Sequence, residues 1–218
     1  MTETAFKKEL ILVVDPMCSW CWGFAPAVSS IREKYAERLS LAVVVGGLRA
    51  GNDKVMDDEA KGTIRHHWED VNKATGQPFD FDFFKRDDFT YDTEPACRAV
   101  VTVRALKTDA VLNYLELLHR SFYANNQDIT DTSVLASLAA SLGVDADHFA
   151  EVFNSEEARS ATIDDFQVAR NLGVTGFPTV VAVDKAASEE EQNQYAYLNV
   201  GYRPFEALEP LLEEWIAA

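Results

Sequence analysis

The chain is poor in cysteine, in basic residues and in long apolar runs. Its 218 residues hold three cysteines, an odd number and too few for a disulfide-stapled scaffold, so a hydrophobic core has to hold the fold. With 47% hydrophobic residues, that length can supply a core for one large domain or for a small domain carrying an insertion. Lys and Arg number 20 against 36 Asp and Glu, a formal charge of −16. Such a surface repels nucleic-acid backbones and anionic lipid, so no nucleic-acid or membrane partner is expected and any charged partner should be basic. No segment approaches the ~18 consecutive apolar residues of a membrane span, and the opening MTETAFKKEL lacks a secretory apolar stretch, which together predict a cytoplasmic protein. There is no internal repeat and no extended low-complexity segment.

What is present begins with DPMCSWCWGF at residues 15–24. The apolar run at 10–15, ended by Pro16, reads as a strand buried on both faces. Apolar residues at three- and four-residue spacings then predict a helix over 21–39, with Pro26 kinking it or ending its first turn. A second apolar run at 41–45, closed by Gly46-Gly47, completes a parallel strand-helix-strand unit. Helical patterns follow over 57–74, 95–106, 109–123, 132–142 and 145–153, separated after the first by the aromatic stretch PFDFDFF with Phe89 and Tyr91, a loop packed on a core or lining a cleft. A helix over 156–172 ends at Gly173. The sequence VTGFPTVVAVD places Pro178 at a strand start, where it forfeits no ladder bond. Residues 195–200 form a further strand, the acidic SEEEQNQ before it a solvated hairpin loop, and a final helix over 204–216 has Pro204 in its first turn.

Two cysteines separated by two residues at a strand-to-helix junction can hold a metal, close an inert disulfide or exchange disulfides. At a helix start the Cys18 sulfur meets unpaired amides and the positive end of the helix dipole, which favour thiolate. The uncharged Ser19-Trp20 between the pair adds nothing to that field, so the activation is moderate. Cys21 lies one turn further along the same face, within disulfide reach but more covered. In sequence, Cys18 attacks a substrate disulfide and Cys21 resolves the mixed disulfide. Zinc competes poorly: a structural site wants four ligands, and Cys97 with the adjacent His66-His67, which point about 100° apart on a helix, cannot complete it.

A CxxC opening a helix after the first strand, with a late Gly-Phe-Pro-Thr before a strand hairpin and a terminal helix, resembles the thioredoxin fold. The helical block resembles the insertion of the DsbA family, and CSWCWGF resembles its cytoplasmic FrnE-like branch of disulfide isomerases. The resemblance implies an α/β thioredoxin fold in two halves, 1–55 and 156–218, interrupted by an all-helical insertion domain at 56–155. It also implies a cytoplasmic thiol-disulfide oxidoreductase, reductase or isomerase, acting on protein or small disulfides. Cys18 and Cys21 are then catalytic, Pro178 is a cis-proline facing them, and the Phe177 backbone pairs with a bound peptide. The buried acid that thioredoxin and DsbA relatives often keep on the first strand is replaced by Leu12. Asp15 is closer, as a proton-transfer group for Cys21 or, the favoured reading, a cap on the turn at the helix start.

Other residues have plainer readings beside functional ones. Trp20 is an apolar lip for substrate or an anchor for the helix start, and for Trp22 the anchor is favoured. Cys97 is a third thiol facing the cleft or, preferably, a small core residue. His119 and His148 read as packed or solvated, and KRDD at 85–88 as a solvated face. No metal or organic cofactor is expected beyond the redox-active thiols, with glutathione an optional co-substrate. Two alternatives remain: an SpxH-type adaptor that delivers a client protein, suited by the acidity and the aromatic loop, and a kappa-type glutathione-dependent transferase or isomerase. The oligomeric state is not legible.

Overall fold

The computed structural model describes residues 7–186 and 192–218. Most of the acidic loop expected at 188–194, and most of the opening segment, lie outside those residues. Four strands form one sheet in the order β2-β1-β3-β4: β1 (Lys8–Val14), β2 (Ser40–Val45), β3 (Thr179–Asp184) and β4 (Gln194–Val200). β1 pairs parallel with β2, Leu12 opposite Val43, and antiparallel with β3, Leu12 opposite Val180. The β1 sequence is a continuous apolar run because both of its faces are covered. Leu10, Leu12 and Val14 join the main core, whereas Val13 packs with Val44 and Val181 under Ala169 on the opposite face.

Among the described residues eight α-helices accompany the sheet: α1 (Ser19–Tyr35), α2 (Asp58–Thr75), α3 (Glu94–Leu106), α4 (Val111–Tyr123), α5 (Thr132–Ser141), α6 (Ala146–Phe153), α7 (Glu156–Asn171) and α8 (Phe205–Ala217). Local signals set most of the boundaries. The side chains of Asp57, Asp131, Asp145 and Ser155 cap α2, α5, α6 and α7, each satisfying an orphan first-turn amide. Gly143 and Gly173 take positive φ just beyond α5 and α7, as helix ends favour.

Three expectations need adjustment. Of the two readings of Pro26, ending the first turn falls: α1 runs through it, and the Trp22 carbonyl that loses its i+4 amide accepts from Gln77 Nε2 at 3.0 Å. Pro204 is the N-cap of α8 and not part of its first turn. The residues preceding α4 form a short 3-10 turn, Thr108–Ala110.

The aromatic stretch is core. A 3-10 turn over Phe81–Lys85 turns Phe83 inward beside Trp68, ring centroids 5.0 Å apart, and Phe79, Phe84, Phe122 and Tyr123 close around the same indole. Buried residues form one continuous cluster from the sheet through α2–α6. Among the described residues no helix is long and apolar enough to cross a membrane.

The open edge of β2 is closed by side chains. Asp165 on α7 accepts the Val45 amide at 3.0 Å, Arg104 on α3 donates to the Val43 carbonyl at 2.8 Å, and the two form a bidentate pair at 2.8 Å. Removing one partner of a largely buried pair leaves the other charge uncompensated. Asp165→Ala is expected to lower the unfolding free energy by about 3 kcal/mol in urea titration; a loss below about 1 kcal/mol, the value of a surface pair, would refute a structural role for this clamp.

Candidate active site

β1 ends at Val14 and the chain turns at once. Asp15 accepts the Met17 amide on Oδ1 at 2.8 Å and its carbonyl accepts the Cys18 amide at 3.0 Å. Cys18 is the N-cap of α1, with extended φ and ψ and no side-chain cap bond, and the first turn carries no acidic residue. The positive end of α1 is therefore left without a carboxylate, beside the Cys18 sulfur. Cys18 is 6% exposed and Cys21, one turn deeper, 2%. All three cysteines are free thiols. Burial, and the nearness of Cys18, push the Cys21 thiol well above the ordinary range.

The antiparallel register that sets Val13 opposite Thr179 brings the residues after β1 against those before β3. There the Phe177–Pro178 bond is cis, and the Cys18 thiol donates to the Phe177 carbonyl at 3.6 Å. This approach depends on Gly46: a Cβ there would stand 2.0 Å from the Phe177 ring. Trp20 is half-buried, its ring 5.7 Å from that of Tyr202. Trp22 is the expected anchor, 1% exposed and donating to the Pro78 carbonyl at 3.1 Å.

Asp15 is fully buried and does more than cap a turn. It caps the turn before the helix rather than α1 itself, and its Oδ2 accepts the Leu48 amide at 2.7 Å and the Cys97 thiol at 3.5 Å. Burial raises its carboxyl above the usual value against the opposing pull of those bonds. Cys97 is thus a fully buried residue of α3, as expected, yet its sulfur bonds to Asp15 instead of lining an open cleft. Two residues that pattern reading passed over also reach the junction: Tyr91 donates to the Met17 carbonyl at 2.6 Å, and His119 Nε2 lies 3.4 Å from the Asp15 carbonyl. His66 and His67 are exposed on α2, and among the described residues no group of three or more His, Cys, Asp or Glu is placed to hold a metal.

The model of the DSBA-like thioredoxin domain matches residues 9–199. The chain belongs to the DsbA-like thioredoxin family. Among solved structures, this DsbA-like chain is 37% identical to one from Nitrosomonas europaea, provisionally described as a protein disulfide isomerase, over 97% of this chain and 98% of that one, with TM-score 0.87. The cytosolic disulfide reductase DsbM from Pseudomonas aeruginosa with GSH is 25% identical over 96% and 100%, with TM-score 0.75. Curated relatives are the ClpXP adapter protein SpxH of Halalkalibacterium halodurans, 24% identical over 95% of this chain and 67% of the relative, and that of Bacillus subtilis, 23% identical over 84% and 60%. The chain thus spans roughly two thirds of the length of these relatives.

Two outcomes follow from the junction. Gly46→Ala should displace the Phe177 ring, costing about 1–3 kcal/mol and lowering Cys18 reactivity toward a disulfide; unchanged unfolding and reactivity would show that the close contact is slack. An acid whose folded-state pKa is raised stabilises fully below its unfolded value, near 4, and loses that contribution as pH rises through the folded value. The stability difference between the native chain and Asp15→Asn, measured by urea titration, should therefore be largest in acid and shrink with rising pH. A difference that grows with pH would mean that the amide bonds outweigh desolvation.

Proposed function

We propose that the chain is a cytoplasmic thiol-disulfide oxidoreductase, working as a reductase or isomerase on protein or small disulfides. The observation that carries this reading is the Cys18 sulfur at the N-terminus of α1, 3.6 Å from the carbonyl that precedes the cis-proline. Cys21 waits one turn deeper. Cys18 as thiolate attacks one sulfur of the substrate disulfide, forming a mixed disulfide and releasing the other sulfur as thiolate. Cys21 then attacks Cys18, the internal disulfide forms, and the second substrate sulfur leaves with the electron pair. Two electrons pass from the dithiol to the substrate. An extended substrate lying along Gly176–Pro178 takes the Phe177 carbonyl with its own amide and so frees Cys18, while Trp20 and Tyr202 flank it with aromatic surface.

In a reducing compartment the pair is held mostly as the dithiol, which favours reduction or isomerisation over net oxidation. The DsbM structure with GSH supports glutathione as the co-substrate that restores the thiols. The SpxH relatives support a second reading, an adaptor that binds a client protein, as in their printed description.

Trapping separates the two. Cys21→Ser should accumulate mixed disulfides through Cys18, released only by reductant and absent from the double Cys18→Ser, Cys21→Ser variant. Partners retained equally by the double variant would favour the adaptor, and no trapped species with any disulfide would remove the oxidoreductase reading.

A further inference from the structure

Cys21 has to lose a proton as it attacks, and it does so in a place where burial opposes the thiolate. The nearby carboxylate of Asp15 is held by bonds from Met17 on one oxygen and from Leu48 and Cys97 on the other. Beside Cys21 lies a cavity of about 30 Å³ between β1, α1 and α4. Cys21 and His119 line it, Leu12 and Val14 floor it, and Ser29, Arg32 and Glu116 stand toward the surface. A space of that volume is large enough for a water molecule, and Cys21, His119, Ser29, Arg32 and Glu116 are the polar part of its lining.

His119 is 2% exposed. Its Nε2 faces the Asp15 carbonyl at 3.4 Å, an oxygen that can only accept, which fixes Nε2 as the N–H and leaves Nδ1 as a bare base. That Nδ1 has no hydrogen-bond partner among the described residues. We propose that His119 is the proton-relaying residue of the resolving step, receiving the Cys21 proton on Nδ1 through water in this cavity and passing it toward Glu116 and solvent.

This rests on the oxidoreductase reading. The Cys18–Cys21 bond forms, the bond from Cys18 to the substrate sulfur breaks, the electron pair leaves on that sulfur, and the Cys21 proton goes by way of His119 to bulk water. The titratable and charged groups around the imidazole are Cys21 and Arg32 on α1, Glu116 and Tyr123 on α4, and Asp15 at the β1–α1 turn. Burial pushes His119 down to about 4, so it is neutral and able to accept at pH 7. A thiolate forming at Cys21 supplies the counter-charge that the imidazolium otherwise lacks.

The test is a stopped-flow reaction of the reduced full chain with one equivalent of dithiobis(nitrobenzoate). The first release of coloured thiolate depends on reagent concentration and reports Cys18; the second does not and reports Cys21. His119→Gln keeps a side-chain N–H for the Asp15 carbonyl but has no base. It should slow the second release about tenfold at pH 7, less as pH rises and Cys21 ionises unaided, with the first release within about twofold of the native rate. An unchanged second release at every pH overturns the proposal. If His119→Gln does not fold, Val28→Phe at the half-buried lip of the cavity gives the same discrimination: a slowed second release supports the relay and an unchanged one overturns it. A native chain that gives no second release would instead remove the dithiol reading itself.

Discussion

The buried carboxylate of Asp15 is the constraint on which the site depends. Its side chain and carbonyl together engage Met17 and Cys18 at the start of α1, Leu48 beyond β2, Cys97 on α3 and His119 on α4. A group placed there without hydrogen bonds would cost several kcal/mol. With them, the turn from strand to helix has little freedom, and the sulfur that follows is held at the N-cap. The sheet fold and the helical insertion are thus tied together beside the cysteines.

The second constraint is topological. β1 leads into Cys18 and β3 begins just after Pro178, and these strands are antiparallel neighbours with Val13 opposite Thr179. Any chain paired in this register brings the CxxC turn and the proline turn face to face. What remains for local chemistry is the final approach, and there Gly46 matters, since its missing side chain admits the Phe177 ring. β4, on the outer edge, holds Tyr195, Tyr197 and Val200 about half exposed, so the sheet presents its aromatic residues far along the edge from the sealed strand β2.

Much of this was legible in the sequence where the signal is local. The strand run at 10–15, the CxxC after it, Phe177-Pro178 before β-branched residues, and Asp or Ser ahead of α2, α5, α6 and α7 all fall where pattern and capping chemistry place them. Trp22 as anchor and the aromatic stretch as core were also within reach, because such residues are costly to leave in water. The silent contacts join residues far apart in the chain. Tyr91 reaches Met17, Cys97 reaches Asp15, and His119 reaches the Asp15 carbonyl across 104 positions. On its own helix His119 is simply another inward residue between Leu115 and Phe122, and nothing in its spacing marks it as a base. Pro26 inside α1 is tolerated through another such contact: the Trp22 carbonyl that it leaves without a helical amide is taken by Gln77, 55 positions along.

In the proposed exchange, the order of the two thiols follows from burial as well as from the field at the helix start. Cys21 lies one turn deeper than Cys18, which at the N-cap is the thiol that an incoming disulfide would meet first. Once Cys18 carries the substrate, the electrophilic sulfur has been brought down to Cys21, so the second attack needs no unfolding of α1. The same depth that enforces this order removes Cys21 from water, the usual acceptor of its proton. On the proposed relay, such a site couples two demands: a resolving thiol covered enough to act second, and a path behind it through which its proton can leave. The cavity between α1 and α4 lies on the side that meets the second demand without opening the first.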